Sequence, residues 1–335
     1  MPQRPPDPSP DTTGAATHVM VPWAASLSDG CQQALPVLDD PLAFPHLHAL
    51  LKRLGTHDWL RGDEYALTTP HERIWAQSLG WPAGESAQLP FAAHWARADG
   101  LDVGTLAWGL LTPCHWLMGR DHLTVIHPDE LALTEPEARA FFEAIAPLFG
   151  DEGWCLHWGA PIRWYVTHES LGGLPTASLD RVLGRNPDLW MPEHPQARLI
   201  KRLQAEVQML LYEHPLNEAR QARGAHPVNS FWLSACGRLP DPVGPTHPLQ
   251  IHDGPRHALL RNDIDAWTQA WHDLDRDVFK QVLDSTAQTP GPRLSLCGER
   301  HALTLSPPGR RGWWPAVLAR FSHQPVSPAS LMAQL

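Results

Sequence analysis

Residues Glu213–Leu233, EHPLNEARQARGAHPVNSFWL, decide how the rest of the chain is interpreted. His214-Pro215 closes the helix before it, because a proline pushes the preceding residue out of the α region. Asn217 and Arg220 follow in a polar crossing, Gly224 breaks it, and Asn229 leads into an apolar strand from Ser230 to Ala235. Polar side chains held between a helix end and a strand are placed to line a cleft. The plainer interpretation is a turn with ordinary Asn and Pro punctuation.

Strand and helix patterns alternate on both sides of this stretch. Upstream, Ala197–Tyr212 carries Leu199, Ile200, Leu203, Val207, Leu210 and Leu211 at helical spacing. Further helices are expected over Pro45–Leu54, Pro70–Leu79, Gln88–Gly100, Thr134–Phe149 and Asp265–Leu283. Thr69-Pro70-His71-Glu72 and Thr134 with Glu137 have the form of capping boxes. Strands are expected over Thr17–Val21, Thr105–Met118, His122–Ile126, Trp154–Trp158, Ile162–Thr167, Leu294–Cys297 and Ala302–Leu305, with a turn at Gly119–Asp121. The alternation implies an α/β fold, a mainly parallel sheet sandwiched by helices. The strand-rich stretch 118–190 is expected to be a small inserted α+β domain between core segments 17–117 and 191–325, with residues 1–16 as a disordered tail.

Composition narrows the class of partner. With 43% hydrophobic and 19% charged residues among 335, the chain is that of a globular, soluble protein. Its net charge is −10 and its only lysines are Lys52, Lys201 and Lys280, so no basic stripe is available for nucleic acid. No apolar run approaches a membrane span. Cys31, Cys114, Cys155, Cys236 and Cys297 are scattered, and the odd count without a secretion signal fits a cytoplasmic protein with buried thiols.

The Glu213–Leu233 stretch resembles the His-Pro-x-Asn-x-x-Arg signature of the archaeal-type cofactor-independent phosphoglycerate mutases, an alkaline-phosphatase-like family. PHLHALLKRLG at Pro45–Gly55, SLGW at Ser78–Trp81 and EARAFFEAIAPLF at Glu137–Phe149, then the strand with Arg163, follow in the family's order. HERIWAQSLGW, LAWGLLTPCHW, HPVNSFWLSACG and LCGERHA together look closer to the RpfE-type regulatory proteins. The resemblance implies the superfamily's core fold with an inserted domain. It also implies an ancestry in chemistry that needs two divalent metals, Mn or Mg, and a Ser or Thr nucleophile.

Several positions depart from that pattern. Where the family has a metal-binding Asp after its first strand, this chain has Pro22 and Trp23, and Asp29-Gly30 downstream looks like a turn. His71 stands in the nucleophile's place with Thr69 beside it, and Thr69 is explained as a helix cap. Thr105, Gly109 and Leu111 replace the family's Asp, Arg and Asn. Near the late Asp-His pair only Glu299 and His301 remain; on one strand they would share a face. The expectation is therefore a catalytically degenerate, regulatory protein without a metal cofactor, binding a small phosphorylated anion or a protein partner. The competing expectation is an active metal-dependent, 2,3-bisphosphoglycerate-independent phosphoglycerate mutase or related phosphatase; a third is a purely structural interaction protein.

For the ligand, His214, Asn217, Arg220 and Asn229 are expected to converge near the C-terminal edge of the sheet. They would face the helix that begins at Pro70, with an anion bridging Arg220 and His71. Arg163, with His168-Glu169 at its strand end, is a further candidate, because α/β ligand sites form at such ends. The remaining His, such as His46 with His48 or His247 with His257, show no metal-ligand spacing on a helix. Trp154, Trp158, Trp164, Trp313 and Trp314 are expected in core or interface rather than in a stacking platform.

Overall fold

The computed structural model describes residues 17–84, 88–119, 123–150, 153–242, 246–286, 291–308 and 327–335. In chain order the first elements are β1 (His18–Val21), α1 (Asp29–Ala34), α2 (Pro45–Arg53), β2 (Thr56–Leu60), α3 (Pro70–Ser78) and α4 (Phe91–Ala98). Then come β3 (Ala107–Cys114), β4 (Trp116–Met118), β5 (Leu123–Val125), α5 (Glu135–Ile145), β6 (Cys155–Ala160), β7 (Arg163–Thr167) and α6 (Leu179–Val182). The chain continues through α7 (Ala197–Tyr212), α8 (Pro215–Ala222), β8 (Ser230–Arg238), β9 (Leu249–Ile251) and α9 (Gly254–Leu260). It closes with α10 (Ile264–Asp273), α11 (Lys280–Ser285), β10 (Arg293–Cys297), β11 (Ala302–Ser306) and a helical turn at Pro328–Met332. The tail 1–16, Arg120 and Asp121 of the expected turn, and Trp313 and Trp314 lie outside the described residues.

The fold is α/β, and the chain forms two compact units. One is split, running up to Pro82 and resuming at Pro242; the other is continuous, Ala83–Asp241. The split unit carries a five-stranded sheet in the order β2-β11-β10-β1-β9. Its centre is parallel, β1 lying between β10 and β9, and the β10-β11-β2 side is antiparallel. Alternation sorts the side chains. Val19, Val21, Leu294, Leu296, Leu303 and Leu305 enter the apolar core with α2, α9 and α10. His18, Ser295 and Thr304 lie on the other face and bond to one another. Gly298, between β10 and β11, admits no side chain: a Cβ there would fall 2.5 Å from Leu335, whose carbonyl accepts from Arg300 N and His301 N.

The helix expected over Asp265–Leu283 is interrupted by a π-helical turn at Leu274–Phe279. Such turns change which way a side chain points. Here Asp275, buried, accepts from Leu47 N at 2.7 Å and lies 2.9 Å from His46 Nδ1. The N-terminus of α2 has no side-chain cap of its own at Phe44, so Asp275 takes the orphan N–H from a distance of more than two hundred residues.

The continuous unit carries an antiparallel sheet, β6-β7-β3-β8, and a β4-β5 hairpin. It is wider than the insert expected at 118–190. Strand β3 precedes that range, and α7, α8 and β8 follow it, yet all belong to one sheet and core. Strand character is a local property, whereas pairing partners are chosen by tertiary packing. Helix α7 has the expected bounds, with Ile200, Leu203, Val207 and Leu211 in the core. Among the described residues no helix is long and apolar enough to cross a membrane.

Candidate functional site

The crossing from α7 to β8 is itself helical. Tyr212 ends α7, and Pro215 does not end structure but begins α8, with His214 as its N-cap accepting from Leu216 N. A proline fits the first helical turn because its missing N–H would have no partner there. Asn217 and Arg220 therefore sit on a helix, and both are buried. The Asn217 amide donates to Leu211 O and Val228 O, each at 2.8 Å, and accepts from Val228 N at 2.9 Å. Arg220 Nε donates to His226 O at 2.8 Å, Nη1 to Glu137 Oε1 at 3.1 Å, and Nη2 to Leu131 O. Asn229 pairs with both backbone groups of Trp116, accepting from N at 2.8 Å and donating to O at 3.0 Å. These side chains close a loop on its own backbone, the plainer of the two interpretations.

Glu137 completes the knot. It is the capping-box residue of α5 and also accepts from Arg220 and Arg223. Desolvation works to raise its carboxyl, but the bonds from Arg223 and Thr134 and the Arg220 charge outweigh it and hold it at about 2.

Arg163 is likewise held inside the protein. Its guanidinium grips Asp99 with two bonds, Nε at 3.0 Å and Nη2 at 2.9 Å, and the Tyr165 hydroxyl donates to the same carboxylate at 2.6 Å. Burial and that Asp99 bond push the Tyr165 phenol up. Gly159 lets this cluster close, since a Cβ there would meet Arg163 O at 2.6 Å.

In the split unit, Thr69 caps α3 as expected: its hydroxyl accepts from Glu72 N and donates to Glu72 Oε2, and His71 Nε2 lies 3.3 Å from it. His71 and Arg220 belong to different units. Glu299 accepts from Leu27 N at 2.5 Å, while His301 Nδ1 accepts from Gly62 N at 3.2 Å, so the two serve different loops. They lie in the β10–β11 turn rather than on a strand. Among the described residues no three His, Cys, Asp or Glu side chains are arranged to hold a metal ion. Asp29 begins α1 and is not in a turn; Ser28 provides the cap. Trp23, where the resemblance would place a metal ligand, has φ of 51°, an unusual conformation for a bulky residue.

A cavity of about 200 Å³ lies on the polar face of the split unit's sheet, and no sequence motif pointed to it. Helix α3 forms one wall through Ile74, Gln77 and Ser78, and His18, Thr304, Asp58 and Leu60 line the sheet side. Arg293 and His247 line it as well. His18 Nε2 meets Ser295 Oγ at 2.8 Å, and Ser295 Oγ meets Thr304 Oγ1 at 2.7 Å. Register carries the row on to Asp58, the partner of Thr304 on β2. Burial first, then the charges of Arg293 and His247, push the His18 imidazole down to about 4, so it is neutral at pH 7. The cavity lies where β1 and β10 begin, since the lining residues His18 and Arg293 are their first residues. That is the opposite end from the expected C-terminal edge. A wider groove of about 460 Å³ lies beside α11, but its acidic member, Asp277, already pairs with Arg276.

Comparison with protein-family models and with curated proteins finds no match. Among solved structures, the chain is similar to the cofactor-independent phosphoglycerate mutase of Thermoplasma acidophilum DSM 1728. The identity is 13%, with 87% of this chain and 89% of that chain covered and a TM-score of 0.36. It is also similar to the PH0037 protein of Pyrococcus horikoshii, at 14% identity, with 89% of each chain covered and a TM-score of 0.47.

Proposed function

We propose that this chain is a catalytically degenerate relative of the phosphoglycerate mutases that acts by binding a small anion, in a regulatory, RpfE-type role in the cytoplasm and without a metal cofactor. One observation carries the reading: Asn217, Arg220 and Asn229 of the signature segment direct their polar groups to protein backbone or to Glu137. A site for phosphoryl transfer needs donors aimed at substrate oxygens rather than at the chain's own carbonyls. Gly109 supports it further. A Cβ at that position would lie 2.8 Å from Leu233 Cδ1 and 3.1 Å from Cys236 Sγ, so the packing around it is fitted to a residue without a side chain.

The test is an assay for interconversion of 2- and 3-phosphoglycerate with Mn or Mg supplied, alongside elemental analysis of the purified protein. No turnover and no stoichiometric metal are expected. Metal-dependent interconversion overturns the reading in favour of an active mutase, and one or more Mn or Zn per chain overturns its metal-free part.

A further inference from the structure

We infer that the cavity under α3 is the ligand site of the chain, and that it takes a small carboxylate bearing a cationic or hydrogen-bond-donating group at its far end. The inference rests on the binding role proposed above and gives that role a place and a ligand class.

The arrangement of charge carries it. Arg293, the register partner of His18, and His247 line the cavity near His18, and Asp58 lines it from β2, where it pairs with Thr304. Strand order separates them, because β11 lies between β10 and β2. Two strand spacings amount to roughly 10 Å. A cationic end and an anionic end that far apart match a ligand whose own charges are separated. A compact dianion such as phosphate could engage the cationic end alone; it is too short to offer anything to Asp58, whose charge only opposes it. Ile74 and Leu60 offer an apolar wall to the carbon skeleton between the two ends. Ser295 and Thr304 anchor His18 from beneath, so the imidazole is fixed before a ligand arrives, and less ordering is needed on binding.

The titratable groups facing His18 are Arg293 from β10, His247 ahead of β9 and, across the sheet, Asp58 from β2; α3 contributes only Ile74, Gln77 and Ser78. Burial first, and after it the charges of Arg293 and His247, keep the imidazole neutral; a carboxylate seated between Arg293 and His18 offsets the charge contribution. Binding should therefore raise the imidazole from its depressed value and take up a fraction of a proton at acidic pH, near 5 rather than at 7.

Calorimetric titration of the full chain with 6-aminohexanoate, hexanoate and inorganic phosphate tests this. The amino acid is expected to bind at one site, more tightly than either hexanoate or phosphate, and with proton uptake on going from pH 7 to pH 5. Arg293→Gln and Asp58→Asn, both at exposed positions, should each weaken it by about fivefold. Asp58→Asn should not weaken hexanoate, which has no group to meet Asp58. His18→Gln should abolish the proton uptake. Absence of 6-aminohexanoate binding, indifference to Arg293→Gln, or tighter binding of phosphate overturns the inference. Mutase turnover with this binding intact would sink only the degenerate reading; no turnover and no binding would sink only the assignment of this cavity.

Discussion

The Arg220 knot and the His18 cavity are both built from buried polar side chains, and they put that polarity to opposite uses. In the knot, every nitrogen of Arg220 donates to a protein oxygen, and Asn217 and Asn229 bridge backbone groups on neighbouring segments. Buried donors without partners cost about 1–3 kcal/mol each, so a loop that must be buried recruits side chains to satisfy it. In the cavity, His18, Ser295 and Thr304 bond to one another, while Arg293, His247 and Asp58 line the open space. Polar content alone does not mark a binding site; the direction of its donors and acceptors does.

Truncating the knot should do the greatest damage. Arg220→Ala leaves the Leu131 and His226 carbonyls and the Glu137 carboxylate without their buried partner. A loss of about 3–5 kcal/mol is expected in urea unfolding. A loss below about 1 kcal/mol would mean that the guanidinium is not structural and would reopen the ligand reading.

Leu203→Ala is the apolar benchmark in the same unit. Leu203, on α7, is buried in the core, and the cavity left should cost about 2–5 kcal/mol. An effect lost in experimental noise would place α7 at the surface.

Acidification separates the two regions by their pH windows. His18 is depressed from 6.5 to about 4. The unfolded chain thus binds this proton more readily, and stability is full above about 6.5 and falls as pH drops toward 4. The contribution is at most about 3 kcal/mol, and in His18→Gln this limb should vanish. Glu137 is depressed from 4.5 to about 2, so its contribution is complete above about 4.5 and disappears only as pH falls toward 2. With solvent screening it amounts to about 1–2 kcal/mol. Glu137→Gln should flatten the lower window and leave the upper one. A variant that flattens the other residue's window would show the assignment to be wrong.

The smallest effect belongs to the rim of the cavity. Arg293 is exposed, so Arg293→Gln should change stability by no more than about 0.5 kcal/mol. A loss of 2 kcal/mol or more would make Arg293 a structural residue, and the contrast with Arg220 would collapse.

Local chemistry determined much of the fold directly. The capping boxes at Thr69–Glu72 and Thr134–Glu137, the bounds of α7 and the helix stop at Gly80, with φ of 73°, follow from residues within a few positions of each other. Caps and amphipathic stripes depend on neighbours at i+3 and i+4, which any sequence displays. The alternation of strand and helix likewise made the α/β class legible. Pro215 shows the limit of such signals, because the same residue can close one helix or open the next.

What only the tertiary structure decided was pairing and direction. The sheet of the continuous unit recruits β3 and β8 from outside the expected insert, and Asp275 caps a helix far from it in sequence. The candidate residues Arg163, Asn217, Arg220 and Asn229 were legible as polar side chains, but not as side chains turned inward. The cavity gathers His18, Asp58, Ile74, His247, Arg293 and Thr304 from separate segments with no shared motif. The reason is physical: hydrogen-bond partners are chosen among groups brought together by burial of the apolar faces, and that choice is made in space, not along the chain.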